Sequence, residues 1–430
     1  MLQYKKGDCL LVKLIEKIEG EAKLNFSFDQ NKKIDFVDIE FFSTRNIETI
    51  LQNKPALDAL VINPRVCGIC GHAHLIATSL ALESCYEDIQ ISKKAQILRE
   101  LTLNFEIIQN HFKWFYLTIM PLFGHKQQLL KATNPTQLMA KAIATIAGQY
   151  PHTSYSIVGG VVCEVGMIEL LKMQNYIDEC IKFFENNLLL AQSKEIAECS
   201  NIENILSKEG DLQMILSQIK QNSWEHTGKS YDRFIVFGKN SYFISGKSIK
   251  TRVNHNLNIS EIKETTNKKS YAKNVTYKGK YYEVGPLSRA MIKKTPLIKD
   301  AHRRYSDSIF SRILARVCEI PQLLNHSKKL IKSIDINEES YIKPPTDISK
   351  ISSKGIGIVE AARGTLIHKV EIQKGIIKNY DIITPTQYNL SNGTKENQAI
   401  SQKAMQGLDD IHLAEIVFKS FDVCSVCTTH

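Results

Sequence analysis

No stretch of this chain reaches the roughly 18 uninterrupted apolar residues that a membrane-spanning helix needs, so no direct membrane span is expected. The opening Met1-Leu2-Gln3-Tyr4-Lys5-Lys6-Gly7-Asp8 is not followed by the apolar core of a secretory signal, which favours the cytoplasm. No internal repeat is evident. Cysteine is too sparse for a disulfide scaffold, with ten in 430 residues. Six of them (Cys9, Cys85, Cys163, Cys180, Cys199 and Cys318) are scattered without cluster spacing. They read as buried apolar thiols in a reducing compartment, and no iron–sulfur relay can be built from them. A basic motif interleaved with aromatics is also missing. The net charge of +10 comes from spread lysines, locally dense at 263–280, and reads as a solvated surface rather than a nucleic-acid footprint. A hydrophobic content of 43% marks a globular chain long enough to bury a large core, and length alone would suggest two or three domains.

What is present is a pair of short motifs at opposite ends. Near the front stands Arg65-Val66-Cys67-Gly68-Ile69-Cys70-Gly71-His72-Ala73-His74, and the last residues are Asp422-Val423-Cys424-Ser425-Val426-Cys427-Thr428-Thr429-His430. A Cys-x-x-Cys turn brings two sulfurs near enough for one metal ion, and small residues between them let the backbone fold tightly. Two such turns supply four thiolates, a soft donor set suited to zinc, iron or nickel. Zinc modules usually separate their pairs by about 15–20 residues, whereas these pairs lie most of the chain apart. A redox disulfide uses one pair and leaves the other unexplained. The apolar run Leu75, Ile76, Leu80, Leu82 predicts a helix just past the first pair, with its N-terminus stabilising thiolates.

Along the chain, strands are expected at 9–15, 22–28 and 34–41, and a helix at 46–53. Ile97, Leu101, Phe105, Ile108, Phe112 and Phe115 recur every three or four residues and predict a long amphipathic helix over 93–120, stopped by Pro121. Further helices are expected at 135–148, 166–196 and 202–221. Residues 231–284 turn strand-like (Phe234-Ile235-Val236-Phe237-Gly238, then Tyr242-Phe243-Ile244), with the polar stretch 259–274 as a loop. Helix returns at 287–333, a polar connection fills 334–353, and β-hairpins follow at 355–389 with Gly364 and Gly375 at turns. A closing helix near 396–420 delivers Cys424 and Cys427. The expected fold class is α+β and helix-dominated: a central long-helix bundle with small β-rich layers from the N-terminal, 231–284 and 355–389 segments. If four sulfurs share one site, the first and last segments must meet, so residues 1–430 are expected as one interlocked unit. Its parts are the strands of 1–42, the first cysteine pair and helical core of 43–222, the β-rich 231–284, the helices of 287–333, and the hairpins, closing helix and second pair of 355–430.

The front Arg-x-Cys-Gly-x-Cys-x-x-x-His and the terminal Asp-x-Cys-x-x-Cys-x-x-His together resemble the large, catalytic subunit of nickel–iron hydrogenases. Ile18-Glu19-Gly20, the segment from Arg45 to Glu48, Tyr282-Glu283-Val284-Gly285-Pro286-Leu287, Glu360-Ala361-Ala362-Arg363-Gly364 and Pro385-Thr386-Gln387-Tyr388-Asn389 extend the likeness over nearly the whole chain. The resemblance implies nickel held by Cys67, Cys70, Cys424 and Cys427, with Cys70 and Cys427 bridging to an iron that carries carbon monoxide and cyanide. It implies heterolytic splitting or formation of dihydrogen, with Cys424 as first proton acceptor and Glu19 passing the proton on. Arg363 would overhang the open face with its rigid donor fork. Thr386 would hydrogen-bond a cyanide, Asp422 would hold the arginine, and His74 would sit beside a bridging sulfur. His72 is outside that pattern and reads as structural. Glu48, the carbonyl of Ile382 and His430 match a separate hard-metal site, magnesium or another divalent ion.

The implied partners are an iron–sulfur small subunit, as a heterodimer or a dimer of heterodimers, and maturation proteins. Electrons would leave through that subunit, because iron–sulfur clusters are expected only there. Its presence also leaves membrane association or export through the partner as routes beside the cytoplasm. The sequence departs from the family pattern where Val423 and Ala362 replace prolines, Asn46 a glycine and Glu21 a histidine. After Pro121, Leu122 stands where an aspartate is usual. Related precursors carry a tail that is cut off at the terminal histidine, so the sequence is expected to represent a mature form or a tail-less sensor. Hydrogen sensing at low turnover, a metal-free structural subunit and a zinc-binding adaptor are the alternatives.

Overall fold

The computed structural model describes residues 10–15, 22–42, 44–250, 253–267 and 269–424. Glu19, Cys427 and His430, each singled out above, lie outside the described residues. The first segment forms an antiparallel meander of β1 (Leu10–Ile15), β2 (Ala22–Phe28) and β3 (Ile34–Phe41). Alternation works here as expected: Ala22, Leu24 and Phe26 face the core, as do Val37, Ile39 and Phe41.

Long helices make the bundle. The first cysteine pair leads directly into α1 (Gly71–Glu83), for which Cys70 is the N-cap residue. The long amphipathic stretch forms α2 (Lys93–Trp114), opened by Ser92, whose hydroxyl accepts from the Ala95 N–H at 3.1 Å. Its stripe of Ile97, Leu101, Phe105, Ile108 and Phe112 is buried. Pro121 does not end this helix where expected. The ladder widens to π spacing over Phe115–Ile119, and one more turn, Met120–Leu122, carries the proline. Helix α3 (Leu129–Ala147) begins earlier than the expected 135 and absorbs Pro135 inside it. It ends at Gly148, whose φ of 74° no β-carbon-bearing residue adopts comfortably.

Next come α4 (Met167–Asn187), the short strand β4 (Arg233–Val236), and the hairpin of β5 (Ile262–Asn267) and β6 (Ser270–Tyr277). That hairpin corrects the loop expected at 259–274. Its lysines and threonines hide the pattern, but Ile262, Val275 and Tyr277 pack into a small cluster with Ile367, Ile383 and Tyr388. Tyr242-Phe243-Ile244, expected as strand, lies in no strand. The expected helix at 287–333 is three pieces: α5 (Pro286–Lys293), Pro296–Tyr305, and α6 (Ile309–Lys332). The breaks fall at Lys294, in left-handed backbone, and at Ser306, whose φ is also positive. Likewise 166–196 is interrupted after Asn187, and 202–221 at Gly210.

The last segment is a second antiparallel meander of β7 (Ser353–Ala361), β8 (Gly364–Gln373) and β9 (Ile376–Ile383), followed by the short α7 (Pro385–Asn389) and by α8 (Ile411–Ser420). Gly364 and Gly375 stand at its turns with positive φ, as expected. One hydrophobic core runs from Ala22 to Cys424, with α6 buried along most of its length. Among the described residues no helix is long and apolar enough to cross a membrane.

The contact that places the site is α1 lying flat on β7. Ala77 and Ala81 meet Gly355 and Gly357 so closely that a β-carbon on Gly357 would overlap the Ala77 carbonyl oxygen. Because β7 runs against α1, its far end, Ala361, arrives beside Ala73 at the start of the helix. Gly357→Ala must therefore push helix from strand. It is expected to lower stability by about 3 kcal/mol, read as a drop in Tm and in the urea midpoint. A wild-type midpoint would mean this contact does not hold the two elements.

Candidate metal centre

Three of the four motif cysteines fall within the described residues, and they converge. Cys67 and Cys424 are 357 positions apart in sequence, and their sulfurs are 3.7 Å apart. The sulfurs of Cys67, Cys70 and Cys424 all lie within 4.8 Å of one another, and all three residues are buried. The pocket beside them is lined by Cys70, His74, Arg363, Leu366 and Thr386.

Arg363 comes from the β7–β8 turn. Its Nε donates to the Asp422 carbonyl and one terminal nitrogen to Asp422 Oδ1, both at 3.1 Å. Asp422 can make this contact because it follows α8 in left-handed backbone, with φ of 59°. Asparagine and aspartate visit that region more readily than most residues. Thr386 is 2% exposed, and its hydroxyl finds no hydrogen-bond partner among the described residues. A buried hydroxyl without a partner is costly, and one that lines the pocket suits a bound acceptor. His74 does not stand alone: its Nδ1 lies 3.0 Å from His368 Nε2, and His368 Nδ1 lies 2.8 Å from the Tyr380 hydroxyl. This chain of buried rings fixes the His74 orientation.

His72 behaves as a structural residue. Burial holds its imidazole down at about 3, hence neutral, with Tyr150 and Tyr155 rings 5.4 and 5.6 Å away. Glu48 and Ile382 are brought together, but the Ile382 N–H donates to Glu48 Oε1 at 2.8 Å. Lys273 already bridges both Glu48 oxygens at 2.9 and 2.8 Å. A divalent ion at Glu48 would share that carboxylate with an ammonium group.

Sequence reasoning missed the residues that hold these parts in place. Asn110 donates to the Ile69 carbonyl, inside the cysteine turn, at 2.7 Å. One helical turn earlier, Glu106 accepts the His72 and Ala73 N–H groups at 2.8 and 3.0 Å. These are two of the unsatisfied donors at the start of α1, so α2 grips the turn on both sides of Cys70. The only signal was a glutamate inside the apolar run Phe105-Glu106-Ile107-Ile108. A second set is His111, Arg289, Arg316 and Glu319. His111 Nε2 lies 2.8 Å from Glu319, which Arg289 clamps at 2.8 and 2.7 Å, and Arg316 reaches Asp422 Oδ2 at 2.9 Å.

The sequence profile described as "Nickel-dependent hydrogenase" matches residues 45–120 and 125–430. The chain belongs to the nickel-dependent hydrogenase family. The match breaks at residues 121–124, where Leu122 stands. Among relatives, sulfhydrogenase 1 subunit alpha of Pyrococcus furiosus is 24% identical, over 97% of this chain and 96% of that one. The NAD-reducing hydrogenase HoxS subunit beta of Cupriavidus necator is 22% identical, over 98% and 94%. The fold is that of the Ni-Fe-Se hydrogenase from D. vulgaris Hildenborough, with a TM-score of 0.82 and 20% identity over 99% of this chain and 100% of that one. It likewise matches the Ni-Fe-Se hydrogenase from Desulfomicrobium baculatum, with a TM-score of 0.79 and 20% identity over 98% and 100%. This nickel–iron hydrogenase is thus the catalytic subunit, with a nickel–iron centre and a small-subunit partner, and the expected α+β, helix-dominated fold is the fold found.

Glu106 gives a pH signature. Burial pushes its carboxyl up to about 7, against the His72 and Ala73 N–H groups and the charges of Lys113 and Arg363, which pull it down. The unfolded chain gives up this proton at the ordinary glutamate value, while the folded chain keeps it until about 7. Glu106 therefore contributes stability that is complete below the unfolded value and is lost as pH rises through the folded one. The loss is about 3 kcal/mol for the metal-free chain. Glu106→Gln is expected to remove this dependence. Urea unfolding of both chains at about pH 5 and about pH 7.5 checks it, and a difference that does not change with pH refutes it.

Proposed function

We propose that this chain activates dihydrogen at a nickel ion held by Cys67, Cys70, Cys424 and Cys427, with Cys70 and Cys427 shared with an iron. The carrying observation is the gathering of three cysteine sulfurs from both ends of the chain within 4.8 Å, buried beneath Arg363. Soft thiolates in a closed pocket fit nickel and iron, and the partnerless Thr386 hydroxyl fits a small acceptor ligand such as cyanide on the iron.

A nickel–iron centre held by these cysteines would supply the site at which dihydrogen is polarised and its electrons are taken up. The chain's own groups handle the rest. Cys424 Sγ takes the first proton, and the Glu19 carboxylate carries it outward. Arg363 turns a permanently charged fork over the pocket, kept in place by Asp422. His74, steadied by His368, orients the Cys70 sulfur. The electrons pass to iron–sulfur clusters in the small subunit. Glu48, the Ile382 carbonyl and His430 form a separate site for magnesium or a similar ion. The whole chain acts as one interlocked unit, in the cytoplasm. Family membership sets aside the zinc-adaptor and metal-free alternatives, and hydrogen sensing finds no specific support.

In the matured complex the large subunit is expected to hold nickel and iron in equal amounts, apart from the cluster iron of the small subunit, and the complex to reduce a viologen dye with hydrogen and to show infrared bands of iron-bound carbon monoxide and cyanide. Cys70→Ser and Cys424→Ser are each expected to lose nickel and dye reduction together. Full nickel content in either variant, or zinc as the only metal in the unsubstituted complex, would overturn the assignment.

A further inference from the structure

We propose that Arg316 is a positioning residue for the hydrogenase reaction, setting the orientation of the Arg363 fork over the thiolate pocket through Asp422 and the Ala362 carbonyl. This rests on the reading that Arg363 overhangs the nickel–iron centre.

Arg363 is a planar group held at two points. Its Nε and one terminal nitrogen face Asp422, so planarity turns the third nitrogen to the opposite side. The direction of the fork is therefore the direction of Asp422. Asp422 in turn is shared. Its Oδ1 faces Arg363, and its Oδ2 takes Arg316 at 2.9 Å. The same Arg316 nitrogen lies 3.3 Å from the carbonyl of Ala362, the residue immediately before Arg363. Arg316 thus touches both ends of the lever: the carboxylate that aims the fork and the backbone that carries it.

Arg316 is itself over-determined. It sits on α6 at 3% exposure, with its guanidinium over the Trp114 ring at 4.8 Å from the centroid. Trp114 is pinned by its indole N–H to the Lys419 carbonyl at 2.9 Å. The nitrogen that reaches Asp422 and the Ala362 carbonyl also lies 3.3 Å from His111 Nδ1. An acceptor is required there, so the His111 proton belongs on Nε2, where it meets Glu319 at 2.8 Å. Glu319 is locked by Arg289, which also donates to the Ala361 carbonyl at 2.9 Å. Burial pulls the Arg316 guanidinium down to about 10 and Asp422 raises it, so it stays charged at neutral pH.

The competing explanation is that Arg316 merely neutralises buried Asp422. A counter-charge role needs only a cation, whereas positioning needs one planar nitrogen with its N–H groups held in a fixed direction toward Asp422 and the Ala362 carbonyl. Arg316→Lys separates the two, because it keeps the charge and loses the fork. In the nickel-loaded complex with its small subunit, Arg316→Lys is expected to keep nickel content and Tm. Its iron-ligand infrared bands should move in the direction seen for Arg363→Lys. Its kcat should fall about a hundredfold with little change in KM for hydrogen. Bands and turnover equal to the unsubstituted complex would overturn the proposal, and so would a variant that folds poorly or fails to load nickel, since Arg316 would then serve assembly. The bands and nickel of the unsubstituted complex report separately on the centre itself: their absence would sink the underlying reading rather than the role of Arg316 within it.

Discussion

The close approach of α1 to β7 is the constraint on which the site depends. Helices usually keep their distance from a sheet because side chains stand between them. Here Ala77 and Ala81 on one side and Gly355 and Gly357 on the other remove that spacer. The helix that opens at the first cysteine pair and the strand that leads into the Arg363 turn become one rigid piece. Once they are joined, the Arg363 backbone is placed relative to Cys67 and Cys70, and the side chains around it set where its guanidinium points.

Onto this piece the protein adds an electrostatic frame. Arg363, Arg316 and Arg289 face Asp422, Glu319 and Glu360, all buried. Three cations meet three anions, with a neutral His111 among them. Burying so many charges is expensive, and each must be matched in place, because an unpaired member would cost several kcal/mol. Glu319 illustrates the balance. Burial alone would raise its carboxyl, but Arg289 and the His111 hydrogen bond outweigh that and hold it down at about 2. Such a network contributes little net stability compared with an apolar core. What it contributes is a single arrangement, since the charges satisfy one another in only one geometry.

The chemistry of the site was more legible in the sequence than its support. Cys67, Cys70 and Cys424 carry their meaning in spacing and residue type, and the glycines of the β7–β9 turns announce themselves. The supporting charges do not. Arg289, Arg316 and Glu319 sit in helical stretches where a lone arginine or glutamate reads as a solvent-facing residue. They are buried only because partners arrive from segments far away in sequence. The hairpin of β5 and β6 was hidden for the opposite reason. Only one of its faces is buried, and the lysines and threonines of the other dominate its composition. Prolines misled in both helices: Pro121 rides in the turn that follows the π-widened stretch and Pro135 inside α3, because tertiary packing outweighs the loss of one backbone hydrogen bond.

The departures from the family pattern gain a physical meaning from this arrangement. A proline before Arg363 or after Asp422 would restrict the backbone by its ring. Ala362 and Val423 do not, and Leu122 brings no carboxylate at the position where one is usual. In this chain the Ala361 and Ala362 carbonyls are instead gripped by Arg289 and by Arg316, and Asp422 is gripped by Arg316. Restraint by directed hydrogen bonds differs from restraint by a ring. It depends on every donor keeping its plane, and through Arg289 and Glu319 it reaches α5 and α6. The aim of Arg363 is thereby tied to the packing of the bundle itself, so that small shifts between helices well away from the sulfurs are transmitted to the group that faces them.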